Sequence, residues 1–189
     1  MVVAEQGAAA GRGVVVAEQG AAAGRGVVVA EQGAAAGRGV AVAEQGAAAG
    51  RGAVVDRGVA GMLAMSAAFV GVWAAGFPVS FYRDFPWAGA HWVSALGPYN
   101  EHLVRDVGGL YLALLVVSVG VVRRPTLRRV AGGAWLVFSA EHLLWHALHL
   151  DAFSRVHQVT SMVALSVPLA LSALLLRPER GVSAGPRDT

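Results

Sequence analysis

Beyond residue 52 the apolar positions fall into long blocks separated by short charged segments. The first block, Gly58 to Tyr82, runs 25 residues without a charge. A helix crossing a bilayer needs about 20 apolar residues, so the block predicts a first span at about 62–81. Within it Ala67, Gly71 and Ala75 recur every four residues, a stripe suited to close helix contact. A second span is predicted at about 102–122; its last sixteen residues, Val107 to Val122, are uncharged. A third, at about 130–150, is interrupted by Glu141. A fourth, at about 156–176, lies between Arg155 and Arg177 and contains Pro168. Proline is tolerated inside membrane helices and tends to kink them. Soluble four-helix bundles carry polar faces at helical period, and spans one and four have almost none. The predicted fold class is therefore all-α, a polytopic membrane four-helix bundle over 62–178. A linker at 53–61 precedes it and a cytoplasmic tail at 179–189 follows.

The first 52 residues follow a different pattern. Residues 14–26 read VVVAEQGAAAGRG and 27–39 repeat them unchanged. Residues 40–52 differ only at Ala41, and 1–13 only at Met1. Thirteen residues are not a whole number of helical turns, and three glycines per copy weaken a helix. Gly7 to Gly13 has glycines and a basic residue but lacks the spacing, the Lys and the Ser/Thr of a phosphate loop. Met1 stands where later copies have Val14, Val27 and Val40. Residues 1–52 are therefore expected to be a disordered extension or a mis-assigned start. In the second case translation would begin near Val54, Val55 or Met62.

Composition agrees with a membrane chain: 56% hydrophobic, 14% charged and a mean hydropathy of +0.55 over 189 residues. Soluble domains carry roughly a quarter charged residues. There is no cysteine, which excludes disulfides, thiolate metal sites and a cysteine nucleophile. All fifteen basic residues are Arg and the net charge is only +3, too thin for a nucleic-acid surface. Arg123, Arg124, Arg128 and Arg129 share one short loop with no acid. Positive loops stay cytoplasmic, so both termini are expected inside, with loops 82–101 and 151–155 outside. Loop 82–101 carries Tyr82, Phe85, Trp87, Trp92 and Tyr99, which suit an interfacial belt better than a substrate lid.

All six histidines lie between 91 and 157. Ionisable groups inside a span are costly and usually face the bundle interior. His142, His146 and His149 are spaced four and three apart, on one helical face, with Glu141 before them and Asp151 after. Span two enters from the same side with Glu101, His102, Arg105 and Asp106. Asn100 suits its N-cap, and Glu101 can pair with Arg105. His157 starts span four at that depth. Imidazoles with carboxylates suit a transition metal, and His102 opposite a span-three histidine suits haem. His142 and His146 have half the spacing of a zinc-protease helix, but Leu143 stands where the base would be. The same groups suit a proton relay or a hydrogen-bonded polar core. No catalytic residue is identified: the serines in the spans are expected to bond their own helix. Gly108-Gly109 and Gly132-Gly133 are read as close-packing points.

The run from Pro98 to Tyr111, together with the span-three histidines, resembles the small four-helix membrane proteins of high-GC actinobacteria and, more loosely, the DoxX-like families. The resemblance covers about 60–178 and implies a four-helix membrane fold in the plasma membrane, with respiratory or redox partners. Two functions fit these readings. One is a metal- or haem-binding redox accessory protein with an outward-facing His/Glu/Asp cluster. The other is a small transporter or membrane interaction protein whose cluster is structural or proton-coupled. The expected partners are the bilayer and a membrane protein or a second copy, with no nucleic acid.

Overall fold

The computed structural model describes residues 5–178, with side chains from residue 37 onward. The tail at 179–189 lies outside the described residues. Five helices follow one another: α1 Glu5–Gly76, α2 Pro78–Asp84, α3 Glu101–Arg123, α4 Arg128–Leu148 and α5 Arg155–Leu176. Short 3-10 turns occupy Ser94–Leu96, Pro125–Leu127 and Leu150–Ala152. No strand forms among the described residues. The chain divides into two units, 1–51 and 52–189.

In the first unit the repeats are helical from Glu5. Four or five alanines per copy, with Glu and Gln, favour that state, and three glycines oppose it. The described side chains of this unit, 37–51, are all exposed.

In the second unit, residues 53–61 are not a loose connector. They belong to α1 and bury Asp56, Val59 and Ala60. The first span also departs from expectation at its far end. The uncharged block continues to Tyr82, but α1 stops at Gly76 and a separate helix starts at Pro78. Proline has no N–H for the ladder and pushes the residue before it out of the α region; Phe77 duly sits at φ −132°, ψ 60°. The apolar block thus yields one long helix and one turned-off short one.

The other boundaries follow the sequence closely. Asn100 caps α3, its side chain accepting from the Leu103 N–H at 3.3 Å. Ser154 caps α5 through the His157 N–H. Among the described residues, three helices are long and apolar enough to cross a membrane: the described part of α1, Gly37–Gly76, with α3 and α5. The third expected span, α4, falls short by that measure, because Glu141, His142 and His146 interrupt its apolar run.

One core cluster joins Val59, Leu63 and Ala67 of α1, Leu114 and Val121 of α3, Ala131 and Trp135 of α4, and Leu175 of α5. Trp135 is its largest fully buried side chain. The Trp135 Nε1–H donates to Ser118 Oγ at 2.9 Å, and that hydroxyl donates to the Leu114 carbonyl at 2.7 Å. The indole is thereby buried with its polar atom satisfied. Small residues set the helix spacing. A side chain at Gly108 would collide with the Ala75 backbone, and one at Gly132 would press on Leu175 and Leu176. Their neighbours Gly109 and Gly133 face open space, so only one glycine of each pair is a packing point.

One end of the second unit is tied by charge. Asp56, 5% exposed, accepts from Arg177 at 2.7 Å and lies 3.8 Å from Arg128. Arg128 also donates to the carbonyls of Leu175 and Arg177, at 2.6 and 2.9 Å, closing the C-terminal turn of α5. Arg57 donates to the Val122 carbonyl of α3. Arg128 is therefore buried, not a loop charge beside the exposed Arg123 and Arg124. Its acid partner lies 72 positions earlier in the chain.

Candidate functional site

Along α4 the buried positions are Arg128, Ala131, Gly132, Trp135, Ser139 and His146. They recur at helical period, and half-buried His142 continues the line. The periodicity that packs Trp135 into the core thus also turns His142 and His146 inward. Their rings meet edge to face at 4.8 Å. The His142 ring also stacks on Phe138, and the His146 ring on Phe153.

His149 does not join them. The helix ends at Leu148 and His149 is its C-cap, at φ −128°, ψ 40°. The non-helical backbone takes the ring off the expected face. It lies 4.2 Å from the Trp145 ring, with Nδ1 donating to the Trp145 carbonyl at 2.7 Å. His157 is half-buried, edge to face with Trp92. Asp151 is exposed on the 3-10 turn.

On α3 the polar residues pair along their own helix. Glu101 accepts from Arg105 at 2.8 Å, and His102 lies 3.5 Å from Asp106. Arg105 also donates to the Ala75 carbonyl, closing the end of α1. The His102 side chain is 82% exposed. Asp106, Glu141 and His142 share one shallow groove between α3 and α4. Among the described residues, no group of three or more His, Cys, Asp or Glu side chains converges so as to hold a metal ion. Of the ten residues read from the sequence, the structure brings two inward together, His142 and His146.

These two line a cavity of about 520 Å³ that sequence reasoning missed. Its walls are Met62 and Val70 of α1, Leu103, Val107 and Tyr111 of α3, and Leu165 and Pro168 of α5. Segment 81–104 covers it with Phe81, Phe85 and Trp92. These aromatics interlock. Phe81 and Phe85 lie 4.6 Å apart, and Trp92 packs edge to face on Phe85 and Trp87. Of the loop aromatics expected in an interfacial belt, Trp87 and Tyr99 are exposed, while Trp92 is buried and lines the cavity with Tyr82 and Phe85.

The turn that carries Trp92 is built by His91. His91 takes a left-handed backbone, φ 57°, and its Nδ1–H donates to the Arg83 carbonyl at 2.6 Å. His is among the residues that accept this conformation most readily. The Trp92 N–H then reaches the Phe85 carbonyl at 3.1 Å.

Three buried side-chain atoms have no hydrogen-bond partner among the described residues: Trp92 Nε1, Ser139 Oγ and His146 Nδ1. Two of the three belong to residues that line the cavity. Native proteins leave few buried polar atoms unpaired. No family model, curated protein or solved structure matches the chain.

Proposed function

We propose that the chain is a four-span protein of the plasma membrane, a bundle of α1, α3, α4 and α5, that binds a lipid-soluble small molecule in this cavity. The cavity carries the reading. Its volume lies within the roughly 300–1,000 Å³ of small-molecule sites. Its lining is mostly apolar and aromatic, with a few polar side chains among it. Three of the wall helices are apolar enough to sit in lipid. An occupant would therefore arrive from the bilayer.

Exposed Arg123 and Arg124 support a cytoplasmic 123–129 segment with both termini inside, and segment 82–101 outside. The absence of cysteine makes this directly testable. A single cysteine at Trp87 should react with a membrane-impermeant maleimide added to intact cells, and one at Thr126 should react only after lysis. The reverse labelling would overturn the orientation.

The metal or haem reading draws no support from the arrangement. His102, expected to face the histidines of α4, points to solvent beside Asp106. Binding is tested on the purified full chain in lipid nanodiscs with fluorene, a flat apolar probe. It should quench tryptophan fluorescence saturably, and a Pro168→Trp variant, which fills the α5 wall, should lose the effect. Non-saturable quenching equal to that of empty nanodiscs would refute the reading.

A further inference from the structure

We infer that the molecule bound in the cavity is an apolar alcohol or phenol, whose hydroxyl is met by Tyr111 and His142 on the α3–α4 side of the wall. This rests on the small-molecule reading of the cavity and adds the chemistry of its occupant.

Both side chains line the cavity and both are half-buried. Both rings pack on Phe138: Tyr111 meets it edge to face at 5.1 Å, and His142 stacks on it at 5.3 Å. One ring therefore holds the two on one stretch of wall. The Tyr111 hydroxyl and the His142 ring nitrogens have no hydrogen-bond partner among the described residues. None of these atoms is among those sealed from solvent without a partner, so they border open space. Of the cavity and the groove, Tyr111 borders the cavity alone and His142 borders both.

The other polar side chains of the lining are paired, exposed or sealed. The Tyr82 hydroxyl donates to the Gly97 carbonyl, and the Trp135 indole to Ser118. Ser66 and Ser161 donate to the Leu63 and Gln158 carbonyls of their own helices. Asn100 is exposed where it caps α3, its side-chain oxygen taken by the Leu103 N–H. Trp92 Nε1 and His146 Nδ1 are buried away from the open space, so His146 can offer an occupant only its other nitrogen.

A tyrosine hydroxyl donates and accepts, and a neutral imidazole has one nitrogen of each kind. A ligand hydroxyl also does both, so it can pair with either group whichever tautomer His142 takes. A carbonyl oxygen only accepts and fails against a bare ring nitrogen. A hydrocarbon that fills the cavity strips both groups of water and returns no hydrogen bond. The cavity therefore separates molecules of equal shape by a hydroxyl, a distinction that polar groups enforce far better than an apolar wall.

Fluorene and 9-fluorenol test this, since they share a ring frame and differ in one hydroxyl. The readout is the affinity of fluorenol relative to fluorene, in nanodiscs, for the wild-type chain and for Tyr111→Phe and His142→Phe. Comparing that ratio between proteins cancels the different partitioning of the probes into lipid. Each variant keeps a ring against Phe138 and loses the polar atoms, so the ratio should fall about fivefold in each, the worth of one net hydrogen bond. Ratios equal to that of the wild type would overturn the inference while leaving the cavity reading standing. Loss of both probes from both variants would overturn it too, because the two side chains would then hold the fold and not a hydroxyl. Saturable binding of neither probe by the wild-type chain would remove the cavity reading, and this inference with it.

Discussion

Replacing Asp56 by Ala should be among the most damaging single changes outside the cavity. The carboxylate touches two arginines with different surroundings. The Arg128 and Asp56 side chains are 9% and 7% exposed. The Arg177 side chain is 32% exposed. Removing one member of a buried ion pair costs about 3–5 kcal/mol, because the survivor keeps its desolvation and loses its counter-charge. Arg128 retains two carbonyl acceptors at the end of α5, which puts Asp56→Ala near the lower figure, about 3 kcal/mol. Arg177→Ala removes a partner that water screens, and should cost about 1 kcal/mol. The assay is unfolding of the purified chain in mixed micelles of dodecyl maltoside and increasing SDS, followed by tryptophan fluorescence. The double variant Asp56→Ala with Arg128→Met decides the mechanism. Replacing both charges by apolar groups removes the stranded ion, so the double should cost less than the two single changes added together. If Asp56→Ala costs no more than Arg177→Ala, or if the double is fully additive, the buried-pair argument fails.

Three further outcomes are expected. Gly108→Val should destabilise by about 2 kcal/mol or more, because the new side chain meets the Ala75 backbone. Gly109→Val, one position on and facing open space, should stay within about 0.5 kcal/mol; equal midpoints for the two would refute the close approach. Ser118→Ala strands the Trp135 indole N–H in the core and should cost about 1–3 kcal/mol. An additional Trp135→Phe should recover part of that loss, and no recovery would show that the hydroxyl acts otherwise. His91→Gly should preserve folding and probe binding, because glycine accepts φ 57° readily, whereas His91→Val should lose both.

What the sequence made legible was what depends on near neighbours. The cap at Asn100 and the Glu101–Arg105 pair span three or four residues. The apolar blocks placed α3 and α5 to within a residue or two. What stayed hidden depends on distance along the chain. Asp56 reads as an ordinary charge before a span, and its partner Arg177 is 121 residues away. Arg128 reads as one of four equivalent loop arginines until the end of α5 is laid against it. The break at Pro78 is an exception. Its signal is local, but a long uncharged run outweighs one proline when only hydropathy is counted.

The polar residues of α4 show why charge within an expected span is an incomplete guide to a site. Glu141 and His142 are adjacent in sequence, so a helix points them about 100° apart. Glu141 is exposed and borders the groove that holds Asp106. His142 and His146 turn inward beneath the aromatic cover. Convergence requires side chains to share a direction as well as a depth, and the cluster expected from depth splits between the groove and the cavity, with His142 bordering both. The inward face is also the core face: Trp135 and Ser139 occupy the same stripe as His146. Glu141→Leu alters the groove and leaves the cavity lining unchanged. His146→Leu replaces a lining imidazole by an apolar branched side chain. Fluorene binding that changes in the second variant and holds in the first is the pattern this geometry requires.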